Sequence, residues 1–249
     1  MANKLRDSEI LNLLQKKECL TVDEIVDALY VSPSSVRRSL SALEEQGLIK
    51  RTHGGATVID SNNLTPSFTY RTHQNVLEKK LIALKAVSLI KEGDVIFLDG
   101  STSAFFMVEY LSEFKNIKVV TNGIDTLSLL SKNDIPAIST GGSICVGSRS
   151  ILVGPFAEKA VDDIHANIAF FSAQAVNEDG VISDCHLEET QLVAKMIKNS
   201  ARRVFLCDET KLSKTATFKL CHVDDIDDII CNKDLSQYFT KKPKTNIIF

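Results

Sequence analysis

The sequence predicts an α/β protein in two parts: a small amino-terminal winged helical domain, then a larger α/β domain on a mostly parallel sheet. Three observations predict it. A capped, two-faced helix begins at Ser32 and runs almost directly into the basic stretch Leu48-Ile49-Lys50-Arg51 and a Thr52-His53-Gly54-Gly55 turn. Beyond residue 90, short continuous apolar runs alternate with helical periodicity. Between the two patterns, Asp60 to Thr65 is polar, turn-rich and aperiodic. The expected organisation is therefore a domain over 1–58, a linker over 59–75 and a second domain over 76–249.

The first domain opens on an amphipathic helix in which Leu5, Ile10, Leu13 and Leu14 recur at helical spacing. Thr21-Val-Asp-Glu24 is a capping box that starts the next helix, whose apolar side carries Ile25, Val26 and Leu29. Ser32 is the cap of the third helix. Pro33 follows at its first position, where a missing N–H is not felt and φ is already helical. At about 100° per residue, Val36, Leu40 and Leu43 form one stripe. Ser34, Arg38 and Ser41 point nearly opposite, flanked by Ser35 and Arg37, so one face buries and the other is free to read bases. Gly47 is expected to close the helix in a left-handed conformation. Lys50, Arg51 and His53 then sit on a hairpin wing that can touch phosphate backbone or minor groove.

The order V-S-x-x-S-V-R-R-x-L-x-x-L-E-x-x-G-L-I-x-R-x-H-G-G-A, from Val31 to Ala56, resembles the winged helix-turn-helix signature of the DeoR family of bacterial regulators. The resemblance implies operator DNA as the partner. Two positions depart from it. Ser35 stands where Thr is common, which keeps the hydroxyl, and Ser39 stands where Asp usually follows the arginine pair, which removes that acid. Bulk charge does not discriminate, since residues 1–56 hold eight Lys plus Arg and eight Asp plus Glu. In an interaction module of similar shape Arg37 and Arg38 would simply be a solvated face. Placement favours DNA, because four of those eight cations lie on the third helix and wing.

In the second domain, helix-like periodicity around Leu81 to Ile90 is followed by strand Val95–Leu98, helix Ala104–Leu111, strand Ile117–Val120, helix Ile124–Leu130 and strand Pro136–Ser139. Later come strand Ile168–Phe171, helix Glu188–Asn199 and strand Val204–Cys207. Continuous apolar strands separated by helices mean a parallel sheet covered on both faces. Ligands of such sheets bind at the carboxyl ends of the strands. Asp99-Gly100-Ser101-Thr102-Ser103 follows the first strand as a hydroxyl- and glycine-rich anion cradle. Thr121-Asn122, Gly141-Gly142 and Asp208 with Lys211 follow later strands. Each group alone is also an ordinary turn or cap.

The order D-G-S-T, T-N, G-G, V-G-P-x-A-E (Val153 to Glu158) and D-x-T-K resembles the DeoR sensor domain, which is similar in fold to ribose-5-phosphate isomerase. With the winged segment, the resemblance spans nearly the whole chain. It implies a phosphorylated sugar as effector. It also raises isomerase chemistry, which needs a carboxylate base near the sugar carbons. After Ile168–Phe171 the chain reads Ser172-Ala173-Gln174-Ala175, with no acid where the isomerases carry a pair. Glu188 and Glu189 remain as acceptors for sugar hydroxyls, and Glu189 is taken as the site residue. The expectation is a repressor of a carbohydrate catabolic operon that binds its effector without turnover.

No apolar run approaches the length of a membrane span, and no export signal opens the chain, so a cytoplasmic protein is expected. The six cysteines include no C-x-x-C pair and are read as reduced thiols. Cys185-His186 and Cys221-His222 match no usual metal-ligand spacing, and neither metal nor cofactor is expected. Asp224-Asp225 and Asp227-Asp228 are read as a solvated edge or loop. A homo-oligomer is expected from recognition of repeated half-sites, dimer or tetramer, with no heptad in the sequence to choose between them.

Overall fold

The computed structural model describes residues 2–17, 19–46, 48–52, 54–58, 68–145 and 148–249. They form two compact units, Met1–Gln74 and Asn75–Phe249.

In the first unit α1 (Ala2–Lys17), α2 (Val22–Leu29) and α3 (Pro33–Glu45) surround one core. Ile10, Leu14, Ile25, Val36, Leu40, Leu43 and Ile49 meet there with almost no solvent exposure. The capping box of α2 forms as the sequence predicts: the Glu24 backbone N–H donates to the Thr21 hydroxyl, and the Thr21 N–H donates to Glu24. Ser32 caps α3, with Pro33 in its first turn. A strand the sequence did not reveal, β1 (Cys19–Thr21), joins β2 (Ile49–Thr52) and β3 (Gly55–Val58) in an antiparallel sheet of order β1-β3-β2. Gly55 permits that pairing, since a Cβ there would lie 2.2 Å from the Leu20 carbonyl oxygen. Gly47, expected to close α3, and the wing residue His53 lie outside the described residues, as do 59–67 of the expected linker. The linker's later part is not featureless. Residues Phe68–His73 form helix α4, with the Arg71 guanidinium 5.9 Å from the centre of the Phe68 ring.

The second unit begins at α5 (Val76–Val87) and is a three-layer α/β/α body. Its chain order is β4 (Val95–Leu98), α6 (Thr102–Phe105), α7 (Val108–Leu111), β5 (Lys118–Thr121), α8 (Ile124–Lys132), β6 (Ala137–Ser139), β7 (Ser143–Cys145), β8 (Ser148–Val153) and α9 (Pro155–Asp162). There follow β9 (Ala166–Phe171), β10 (Ala175–Val176), β11 (Val181–Asp184), α10 (Leu187–Lys198), β12 (Ser200–Cys207), β13 (Phe218–His222), β14 (Asp228–Cys231) and β15 (Asn246–Ile248). Seven strands form one sheet in the order β15-β14-β12-β9-β4-β5-β6, every neighbour parallel. Successive side chains alternate between its faces. Ile96, Leu98, Phe170, Val204, Leu206 and Ile230 face the core under α5 to α8, and Phe97, Ala169, Phe171, Phe205 and Ile229 face the other way. Val161 of α9 and Leu192, Val193 and Met196 of α10 cover that second face.

Two expectations need correction. The helix expected over Ala104–Leu111 is two one-turn helices, because the chain tightens at Met107, whose N–H bonds the Ala104 carbonyl three residues back. The acids expected on a solvated edge are partly internal. Asp228 is buried and receives both Arg202 Nε (2.6 Å) and Nη2 (3.0 Å), while Asp227 is paired with Arg203 at 2.9 Å. These pairs tie the start of β14 to β12. Burial favours neutral Asp227, but the Arg203 hydrogen bonds and charge outweigh it and hold the carboxyl below the usual range.

Candidate functional site

The outward face of α3 is built by subtraction. Val36, Ser39, Leu40 and Leu43 are taken into the core, which leaves Ser34, Arg37 and Arg38 exposed and Ser35 and Ser41 half-buried beside them. Arg38 stays on its own helix, its Nε 3.4 Å from the Ser34 carbonyl. The wing is fastened to this face: the Arg51 guanidinium donates to the Ser41 hydroxyl (3.0 Å), and its backbone N–H donates to Glu44 (2.9 Å). Lys50 is exposed on the same strand. Ser39, where the family pattern has an acid, is buried and accepts a 2.9 Å bond from Arg6 Nε of α1. A neutral hydroxyl thus stands where an ion pair would otherwise join α1 to α3.

The second candidate site lies at the carboxyl edge of the sheet. Because every strand of the sheet is parallel, the loops after β12, β9, β4, β5 and β6 emerge on one side, in that spatial order. The chain moves outward from β4 to β5 and β6, then returns to place β9 on the other flank of β4, so the topological switch lies between β4 and β9. Asp99 sits at that switch. One carboxylate oxygen accepts from the Ser101 N–H (3.1 Å) and hydroxyl (2.5 Å), and the other from the Ser172 N–H (2.8 Å), joining the loops after β4 and β9. Its burial disfavours charge and pushes the carboxyl up to about 6, against the opposing pull of those donors and of the Lys211 charge. Lys211 Nζ donates to the Ala173 carbonyl at 2.7 Å, which fastens the loop after β12 to the same place. Asp208 turns back on its own loop and accepts from the Thr210 N–H and hydroxyl.

The β4 and β5 loops touch directly under a roof. Ile151 and Leu152 of β8 run across them: the Leu152 N–H donates to the Asn122 carbonyl (2.8 Å), and the Asn122 side chain returns a bond to the Leu152 carbonyl (3.1 Å). A Cβ at Gly100 would lie 2.9 Å from Ile151, and one at Gly123 3.2 Å from the Gly100 Cα. At the end of β6, Gly142 has φ 103° and its missing Cβ would fall 2.4 Å from the Val153 carbonyl oxygen, so this glycine answers a packing demand. Gly141 has φ 63°. Ser101 caps α6, whose first residues Thr102 and Ser103 are buried, as is Thr121. Glu189 lies half-buried in the first turn of α10, and the segment entering that helix is joined to the β9 loop by the Gln174 N–H donating to Asp184 (3.1 Å).

Three buried side-chain oxygens around these loops, Ser103 Oγ, Asn122 Oδ1 and Thr126 Oγ1, have no hydrogen-bond partner among the described residues. Buried polar atoms are nearly always paired, so three orphans in adjoining loops mark a place suited to a polar ligand. Sequence reasoning missed Thr126, Ser172 and the β8 roof. A Gly-x-x-Thr step entering a helix was the signal available for Thr126; none pointed to β8.

The amino-terminal segment 6–62 matches the DeoR-like helix-turn-helix domain, and residues 74–233 match the DeoR C terminal sensor domain. The chain is 33% identical over 238 residues to the HTH-type transcriptional regulator GolR of Listeria innocua, covering 95% of this chain and 93% of that one. It is 30% identical to the L-fucose operon activator of Haemophilus influenzae, covering 95% and 94%. Among solved structures, ribose 5-phosphate isomerase A of Methanocaldococcus jannaschii matches 56% of this chain and 55% of its own at 22% identity and a TM-score of 0.42. No helix among the described residues is long and apolar enough to cross a membrane. The two matched domains, in this order and covering both candidate sites, make this chain a member of the DeoR family of helix-turn-helix transcriptional regulators.

Proposed function

We propose that this regulator is a cytoplasmic repressor of a carbohydrate catabolic operon whose hold on DNA is set by a phosphorylated sugar. Ser34, Ser35, Arg37, Arg38 and Ser41 face the major groove, with Lys50, Arg51 and His53 on the flanking backbone. The domains divide at 1–58 and 76–249. The effector lies over Gly100–Ser103, Thr121-Asn122 and Gly141-Gly142, with Glu189 and Lys211 at its margins and Asp99 and Asp208 holding the loops in place. The observation that carries this reading is the set of partnerless oxygens on Ser103, Asn122 and Thr126, which a polyhydroxylated ligand satisfies.

Turnover is not part of the proposal. A general base must reach a substrate proton with a free carboxylate. Asp99 and Asp184 instead accept backbone N–H groups of the loop after β9, and Asp208 accepts the Thr210 N–H of its own loop. A ligand that binds the ordered loops better than the open ones shifts the population of sensor states, and only that difference in affinity can alter the spacing of paired winged units on their half-sites.

The test uses the full chain and a panel of free and phosphorylated sugars. One phosphorylated member raises the melting temperature and changes retention of the operator in a gel shift, while its unphosphorylated form does neither. Thr102→Ala and Lys211→Ala keep DNA retention and lose the response. Conversion of any panel member at an enzyme-like rate, or a normal response in both variants, overturns the sensor reading. A reporter that falls rather than rises on deletion of the gene overturns the repressor sign.

A further inference from the structure

Helix α5 is apolar on two sides. Its inner side carries Ile82, Ala83, Ala86 and Val87, all buried in the core of the second unit. Its outer side carries Leu77, Leu81 and Leu84, which are 74%, 53% and 48% exposed. At about 100° per residue these three leucines fall within a narrow stripe that Ser88 continues. A surface helix of a soluble domain ordinarily has one apolar stripe, and a helix apolar on both sides ordinarily has something on each.

The charges beside the stripe say what fits it. Glu78 and Lys85 lie together on one flank, on either side of Leu81 along the helix; Lys80 lies on the other flank, where it is paired with Glu109 of α7 at 2.8 Å. If a second α5 packs antiparallel about a two-fold axis at Leu81, each flank meets the same flank of its partner with the direction reversed. Glu78 then stands opposite Lys85 of the second copy, and the symmetry makes the attraction twice. Parallel pairing would set opposite flanks against each other and bring Lys80 up to the second copy's Lys85, a like-charge contact. The stripe and its charges are therefore self-complementary in one orientation, which is the requirement of an isologous interface.

We propose that the outer face of α5 is the surface through which two copies of this chain associate, antiparallel, with Leu81 at the two-fold axis. The Lys80–Glu109 pair forms part of its polar rim. This inference is independent of the effector reading.

The experiment is sedimentation of the full-length chain at micromolar concentration, with thermal unfolding followed in parallel. The wild type sediments as a dimer or an even multiple of one. Leu81→Lys, which sets two ammonium groups against each other at the axis, raises the dissociation constant about 30-fold or more, the scale of a hot-spot loss. Glu78→Lys and Lys85→Glu singly weaken association, and the double exchange restores it. A monomeric wild type overturns the proposal. So does association unchanged in Leu81→Lys, or single charge variants that the double exchange fails to rescue, which is the pattern expected if another partner or the chain's own amino-terminal unit covers the stripe. Should Leu81→Lys fail to fold, the surface charge exchange decides alone.

Discussion

Helix α3, proposed to face DNA, and the rim of the sheet solve the problem of exposing chemistry in opposite ways. On α3 the informative groups point into solvent from a rigid scaffold, and the protein asks little of them: Arg37 and Arg38 are exposed, and the core beneath is indifferent to which polar residues they are. At the rim Asp99, Thr102, Ser103, Thr121 and Asn122 are all buried, and Asp99 spends its carboxylate on the loops themselves. A surface reader can therefore change specificity at little cost to folding, whereas a buried sensor couples each polar contact to stability. The lesson is that binding and stability should separate in the first unit and move together in the second.

The sharpest way to break this comparison is the double variant Arg37→Ala/Arg38→Ala. Loss of two base or phosphate contacts should weaken operator binding by about 4 kcal/mol and lower the salt dependence, with the sensor's melting temperature unchanged. A fall in that melting temperature would mean that the arginines are not simply surface readers. Next in size is Gly142→Ala, which forces a Cβ into the Val153 carbonyl at positive φ and should destabilise the second unit by about 3 kcal/mol in denaturant titration. Unaltered stability would show that the β6–β8 junction yields.

Asp99→Asn sharpens the second half. Burial raises the native carboxyl to about 6, above its ordinary range, so the native state prefers the protonated form. Its stabilising contribution is whole below about pH 4 and is lost as pH rises through 6, a change of about 2 to 3 kcal/mol. The wild type should therefore lose stability relative to the non-titrating variant between pH 4 and 7. Parallel stability curves would show that Asp99 does not titrate there. The smallest effect is expected at Ser39→Ala, which leaves Arg6 without its 2.9 Å acceptor and should cost about 1 kcal/mol, read as faster hydrogen exchange in α1 and α3. An unchanged exchange pattern would mean that solvent replaces the hydroxyl freely.

How far each region could be read in advance follows from the range of its interactions. The capping box Thr21–Glu24, the Ser32-Pro33 start and the two faces of α3 depend on residues within one or two turns, so spacing was sufficient. Strand β12 was legible only over Val204–Cys207, and β14 was not among the expected strands, because its start is set by ion pairs to Arg202 and Arg203, more than twenty positions away. In the same way β1 needed Gly55 to be brought against Leu20. At the rim, the strand-end hydroxyls and glycines were legible as loops. Their division of labour was not: Asp99 as a brace emerged only when the loop after β9 met it, Gly142 as a packing position only when the end of β8 came against it, and Thr126 only as a buried hydroxyl with no partner among the described residues.

Read alone, the chain determined the periodic and local features: a winged helical module, a parallel apolar sheet, and hydroxyl-rich loops at strand ends. Those are consequences of side-chain spacing and capping, which act over a few residues. The tertiary structure decided which groups face each other, since burial and hydrogen bonding between distant segments depend on strand order. Leu77, Leu81 and Leu84 show the difference most simply. In the sequence they cannot be told from Ile82 and Ala86, because hydrophobicity has no direction until one side of the helix is packed against the sheet.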